Sequence, residues 1–376
     1  MTMFQRIREA DIMHKEIPRT LLVMVLSFGI LACADTSKQS KTDPLIDRMI
    51  SKISTDVDPA FVYEYKNTKF VPPEGKTLLI MGQTLDAITE YMDSFSDQPI
   101  PGGWAAYWGI PSIDGVMKTT VNETGSSQNH QILVERFPNS VLQSALWIVG
   151  KWDVLNKAGN GEYDSVVKEF SAWAKTTGRP VYLRIGYEFD GPHNEMEPQG
   201  YVKAYRRIVD LIRAEGADNI AFVWHSYAAP TFKGYPLSDW YPGDHYVDWV
   251  GISLFGHMYA SELNPEGDAV FNFAREHKKP VIVAESSPIY GIEKGNLDAW
   301  NTWFVNFFSL TYNKNVKAIS FINEDWGRIS IDGLSEWKDA RLQNNEQIYQ
   351  AWFKETGKDR YLKQSSELFE QLGFTN

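Results

Sequence analysis

Short apolar runs alternate along this chain with stretches whose apolar residues recur every three to four positions. The runs at 77–83 (TLLIMGQ), 104–108, 141–149, 181–185, 220–225, 246–254, 281–284 and 316–322 are rich in β-branched and aromatic residues. They lack the polar alternation of a one-sided sheet, so each predicts a strand covered on both faces. Between them lie helical patterns. At 164–176, Val167, Phe170, Trp173 and Ala174 share one face. At 201–216, Tyr201, Tyr205, Ile208, Val209 and Ile212 do the same before Gly216. Further helices are expected at 85–92, 300–308, 345–353 and 361–372, and 271–276 is expected to belong to another. Eight strands alternating with helices predict a single (β/α)8 TIM barrel within the α/β class. A doubly wound sheet would need a glycine-rich phosphate turn after its first strand, and Met81-Gly82-Gln83-Thr84 is not one.

The N-terminal pattern is different. Lys15 and Arg19 precede an apolar run, 21–31, too short to span a bilayer, which ends Ile30-Leu31-Ala32-Cys33. This order resembles a bacterial lipoprotein signal, with cleavage before Cys33 and lipid on its sulfur. The expected organisation is a signal peptide over 1–33, a polar tether over 34–56, and a catalytic domain over 57–376. An exported protein of the cell envelope follows, held to the membrane by the lipid anchor only. Cys33 is the sole cysteine, which excludes an intramolecular disulfide and any multi-cysteine metal site.

Composition adds a substrate class. Aromatic residues make up 14% of the chain, with 13 Trp and 18 Tyr, and surplus half-polar rings suit stacking on sugars. A net charge of −11 argues against nucleic acid as a partner. Seven histidines without HxH or HExxH spacing predict no metal site, and no organic cofactor is expected. A monomer is the default state.

Catalytic residues of a parallel barrel sit where strands run out into loops at its C-terminal face. Here those ends offer Gln83, Trp104, Tyr107, Lys151, Arg184, Glu188, His225, Phe255, Glu285 and Trp326. Two of them are alike in setting. Glu188 follows the run 181–185 and precedes the turn-rich Asp190-Gly191-Pro192-His193-Asn194, while Glu285 ends 281–284 before Ser286-Ser287-Pro288. Facing carboxylates about 5 Å apart fit retaining glycoside hydrolysis, and roughly 6.5–9.5 Å fits inversion. Arg184, an even number of positions before Glu188, can hold an acidic neighbour ionised. His225 could hydrogen-bond a sugar hydroxyl or a glutamate, and Trp326 could stack beneath the sugar at the cleavage point. Trp104, Tyr107 and Tyr187 complete the candidate substrate-binding set.

These segments together, with the phrases LSDWYPGDHYVDWVGIS and KPVIVAESS, resemble glycoside hydrolase family 26 over roughly 75–353. The resemblance implies a retaining (β/α)8 glycosidase with Glu188 as acid/base and Glu285 as nucleophile, β-mannan as the first-choice substrate, and Trp326 under the cleaved sugar. Three positions depart from the pattern. Tyr187 stands where the family usually has histidine. The sixth strand ends Ser253-Leu254-Phe255-Gly256 where the clan commonly has a tyrosine near the nucleophile. Ser287-Pro288 is not the mannanase sequence. The departures surround the cleaved sugar, so β-1,3-xylan, mixed-linkage β-glucan and algal glycans stand beside mannan. A non-catalytic, glycan-binding lipoprotein on the same barrel is the alternative from another functional class.

Overall fold

The computed structural model describes residues 43–122, 125–148, 153–228, 234–329 and 336–375. The expected signal segment with Cys33, the first part of the expected tether and Lys151 lie outside these residues.

Eight parallel strands form the centre: β1 Thr77–Gly82, β2 Gly103–Gly109, β3 Val141–Trp147, β4 Val181–Ile185, β5 Ile220–Ser226, β6 Trp249–Leu254, β7 Val281–Ser286 and β8 Ala318–Ile322. Each pairs with the next, and β8 returns to β1 from Leu78↔Ala318 to Gly82↔Ile322, closing a TIM barrel. Almost every strand residue is buried because one face fills the barrel and the other meets the helices. Leu78, Ile80, Tyr182, Val223, Trp249 and Ile282 belong to the interior apolar cluster. The outward residues Leu183, Ile185 and Phe222 join the helix-facing core with Tyr201, Tyr205, Ile208 and Ile212 of the helix Pro198–Ala214.

The N-terminal mouth is closed. Lys279, fully buried, donates to the carbonyl oxygens of Lys66, Asn67 and Asp244, each at 3.0 Å, and of Val247 at 2.6 Å. Those carbonyls stabilise a charge that burial alone would penalise. Tyr182 donates its hydroxyl to the Phe70 carbonyl at 2.6 Å, and the Trp249 indole donates to that of Lys69 at 2.8 Å. The C-terminal face is thereby left as the open end.

Two sequence expectations change. The stretch 361–372 is not one helix. Tyr361–Leu362 forms a ninth strand, β9, parallel to the start of β1, and only Leu368–Gln371 is helical. Leu362, Leu368 and Leu372 all enter the interior cluster, so tertiary burial overrides the local helical spacing. Within the expected tether, Pro44–Ile50 is a helix, capped by the Asp43 side chain, that buries Ile46 and Met49. The Trp300 indole donates to the Met49 carbonyl at 3.0 Å, fixing that helix on the domain. The helix to which 271–276 was expected to belong is Pro265–Glu276, with Asn264 as its cap and Pro265 in its first turn.

Candidate active site

The two glutamates are placed by different means. Glu285 is the fifth residue of β7 and is held by the sheet. A register shift between Ile252 and Ser253 brings Ser253 of β6 opposite it. Glu188 lies three residues past β4, where the strand has already ended. Gly186 has φ +56°, and a Cβ there would meet Ile148 at 2.9 Å and Tyr201 at 3.0 Å, so the turn requires glycine. Glu188 itself has φ +53°, a left-handed conformation that must be held by its surroundings.

Those surroundings are visible. Phe189, fully buried, stacks on Trp224 at 4.6 Å. Asp190 accepts the Ser226 hydroxyl at 2.6 Å and the Tyr227 N–H at 2.7 Å. Asn194 donates its side-chain amide to the carbonyls of Tyr187 (3.0 Å) and Glu188 (2.6 Å). Burial raises the Asp190 carboxyl to about 6 against the pull of its hydrogen bonds.

Both glutamates are buried, at 6% and 7% exposure, and their carboxylates have unlike partners. Glu285 Oε1 accepts from the Arg184 guanidinium and from the Tyr107 hydroxyl. Burial raises the Glu285 carboxyl, Arg184 opposes that rise, and the Glu188 charge adds to it. Glu188 Oε1 accepts the Ser253 hydroxyl at 2.5 Å, and its Oε2 faces His193 Nε2 at 2.9 Å. Burial works against the His193 cation, but the hydrogen bond and charge of Glu188, with the charges of Glu285 and Asp190, outweigh it and raise that imidazole.

A chain of polar groups links the two acids through the barrel. Arg184 Nη1 donates to His225 Nδ1 at 3.3 Å, so His225 carries its proton on Nε2 and donates to Ser253 Oγ at 3.0 Å. Ser253 then donates to Glu188. Burial, followed by the Arg184 charge, pushes the His225 imidazole well below its ordinary value and keeps it neutral. His225 makes no direct hydrogen bond to either glutamate; it lies between Arg184 and Ser253, each of which bonds one of them.

The other candidates divide. Tyr187 meets the Tyr107 ring edge-on at 5.2 Å, and Arg184 lies 5.0 Å over the Tyr107 ring and 5.3 Å over that of Tyr187. Trp326 opens the short helix after β8, its indole donates to Ser287 Oγ at 3.0 Å, and Phe255 and Trp337 meet its ring edge-on. Trp104 does not reach the site. It stacks on Phe137 at 4.2 Å in the helix-facing core, because three positions separate it from Tyr107 and strand alternation turns it outward. Sequence reasoning missed His193 and the role of Ser253. The turn signal DGPHN marked the loop but not which of its side chains would return to Glu188. Among the described residues, no group of three or more His, Cys, Asp or Glu side chains is placed to hold a metal ion.

Comparison with known proteins gives the family and the fold. Two β-1,3-xylanases, from a Vibrio and an Alcaligenes species, are each 30% identical to the chain. The first match covers 84% of this chain and 72% of the relative, the second 87% and 73%. In fold, a β-mannanase from Bacteroides ovatus superposes with a TM-score of 0.53 at 13% identity, over 86% of this chain and 96% of that one. A Bacillus subtilis mannanase gives 0.53 at 16% identity, over 78% and 88%. The family model for glycosyl hydrolase family 26 matches residues 155–339, the span that carries both glutamates, Arg184, His225 and Ser253. The chain belongs to glycosyl hydrolase family 26.

Proposed function

We propose that this glycoside hydrolase is a retaining, endo-acting enzyme whose substrate is β-1,3-xylan rather than mannan. The observation that carries the mechanism is the unlike pairing of the two buried carboxylates. Glu285 is bound through one oxygen by a cation and a phenol, which suits an anionic nucleophile. Glu188 has one oxygen held by Ser253 and the other beside an ionisable imidazole, which suits a group that gives and retakes a proton. Glu285 attacks the anomeric carbon while Glu188 protonates the departing oxygen. Glu188 then takes a proton from water, which displaces Glu285 and restores the original anomeric configuration.

The substrate rests on the relatives. The two xylanases match most of the chain, whereas the mannanases are alike in fold at low identity. The departures at Tyr187, Phe255 and Ser287-Pro288 agree with a sugar other than mannose at the cleavage point. Retention of both carboxylates in these settings does not favour the non-catalytic reading. The N-terminal pattern supports export with lipid on Cys33, and loss of radiolabelled palmitate from a Cys33→Ser variant would test that part.

The test is digestion of β-1,3-xylan, mannan, glucomannan, mixed-linkage glucan and algal galactans, with Glu285→Ala as control. Internal cleavage of β-1,3-xylan, absent in the control, with β-configured product in proton NMR of the fresh digest, is expected. An α-configured first product overturns retention. Cleavage of mannan alone overturns the substrate. Binding without product from any glycan restores the non-catalytic alternative.

A further inference from the structure

We infer that Tyr107, supported by Gln83, is the residue that positions the nucleophile and leaves Glu285 Oε2 as the attacking oxygen. The inference rests on Glu285 being the nucleophile and adds how it is aimed.

The strands beside β7 donate nothing to Glu285. On β6, Ser253 lies opposite it, but that hydroxyl is given to Glu188. Phe255, just beyond, has no polar side-chain atom and packs on Trp337 at 5.0 Å. After β8, the Asn323 amide bonds Gln343 and the Leu342 N–H, and Glu324 bonds Thr84 and the Asp325 N–H. The hydroxyl arrives instead from β2, with β8 and β1 intervening in the barrel order. Tyrosine is long enough to span that mouth from the side opposite Arg184. Tyr107 Oη lies 2.5 Å from Glu285 Oε1 and 2.5 Å from Gln83 Oε1.

One hydroxyl proton serves two neighbours. The carboxylate is the stronger acceptor and takes it, and the Gln83 amide, whose oxygen and nitrogen are interchangeable by a flip, turns its NH2 to the phenol oxygen. Burial, and then the Glu285 charge, holds the Tyr107 phenol well above its ordinary value, so it stays a donor. Gln128 ties the pair together: its Oε1 accepts the Tyr107 N–H at 2.9 Å, and its Nε2 donates to the Gln83 carbonyl at 3.3 Å. With Arg184 and Tyr107 both on Oε1, Oε2 has no hydrogen-bond partner among the described residues.

The consequence is asymmetric between the two chemical steps. In the first, the Oε2–C1 bond forms, the C1–O pair leaves with its oxygen, and that oxygen takes the Glu188 proton. In the second, water bonds C1, gives a proton to Glu188, and the pair returns to Glu285. A donor on Oε1 stabilises the carboxylate, so it makes Glu285 a better leaving group in the second step. Removing the hydroxyl slows release of the glycosyl-enzyme more than its formation. It also raises the Glu285 carboxyl, whose charged and titratable neighbours are Arg184, Glu188, Tyr107, Tyr187, His193 and Tyr227.

The experiment compares Tyr107→Phe and Gln83→Leu with wild type on whichever glycan wild type cleaves, following kcat, KM, the pH profile and the protein mass at steady state. For Tyr107→Phe, kcat should fall about 10²- to 10³-fold, the loss typical of one removed charge-stabilising donor. KM should fall with it, the acid limb should move to higher pH, and a glycosyl adduct should accumulate on the Glu285 peptide. Gln83→Leu should show the same signs at smaller size, and carries the test alone if Tyr107→Phe does not fold. Variants with wild-type kcat, or with lower thermal stability but an unmoved acid limb and no adduct, overturn the assignment. A wild type inert on every glycan overturns the functional reading beneath it instead.

Discussion

Replacing Arg184 with methionine keeps an unbranched side chain of similar bulk and removes the cation beside Glu285. Arg184 is fully buried and Glu285 is 7% exposed, so neither charge is screened by bulk water. At about 4 Å and an effective dielectric near 20, such a pair is worth roughly 4 kcal/mol. Arg184 is the main influence opposing the burial-driven rise of the Glu285 carboxyl, so its loss raises that carboxyl further. Burial already raises that carboxyl with Arg184 present, so in the variant a smaller share of Glu285 is ionised at any given pH. The sign follows directly. Activity needs the ionised form, Arg184 favours the ionised form, and its loss moves the acid limb of kcat/KM upward. We expect kcat/KM at pH 7 to drop at least about 100-fold and to recover partly as pH rises. The assay is the pH profile of both proteins on one glycan, with thermal melts to show that the variant is folded. A folded variant whose acid limb coincides with that of wild type would refute the role given to the ion pair.

Three further outcomes follow from particular contacts. Trp104→Ala removes a ring stacked on Phe137 and should cost about 3–5 kcal/mol in denaturant unfolding; kcat per folded molecule should not change, and a specific loss of kcat would return Trp104 to the site. Burial raises the Glu324 carboxyl from 4.5 to about 7, so its ionisation opposes folding increasingly as pH rises through that window, by up to about 3 kcal/mol. The melting temperature of Glu324→Gln relative to wild type should accordingly climb between pH 4.5 and 7, and a constant difference would contradict the buried acid. The pairing of His193 with Glu188 raises the imidazole, so its contribution to stability is complete below about 6.5 and is lost as pH rises through the higher folded value. The stability gap between wild type and His193→Gln should shrink toward alkaline pH; a gap that widens would show that the pair is neutral.

Much of the barrel is legible in the linear sequence because a strand covered on both faces must be apolar at nearly every position. The runs at 181–185 and 220–225, and the helix at 164–176, coincide with observed elements to within a residue. The same logic exposed both glutamates: an acid directly after a buried run has few places to be except the strand's open end. Arg184 was legible too, since a cation inside an apolar run demands a buried anion. What the sequence did not contain was the pairing of these groups. Parity along the strand linked Arg184 to Glu188, yet β4 ends at Ile185, two left-handed residues follow, and the guanidinium binds Glu285 instead. Trp104 and Tyr107 looked alike in one short run, and only the alternation of β2 within a closed barrel sent one ring to Phe137 and the other to Glu285. Ser253 carries no local signature, because a hydrogen bond to a residue 65 positions away is specified by where the backbone places the two; His193 is close to Glu188 in sequence, but only the path of the loop after β4 returns its ring to that carboxylate. Local patterning determined the elements and the acids at their ends; barrel closure, which brings eight strand ends to one mouth, decided which partner each acid received.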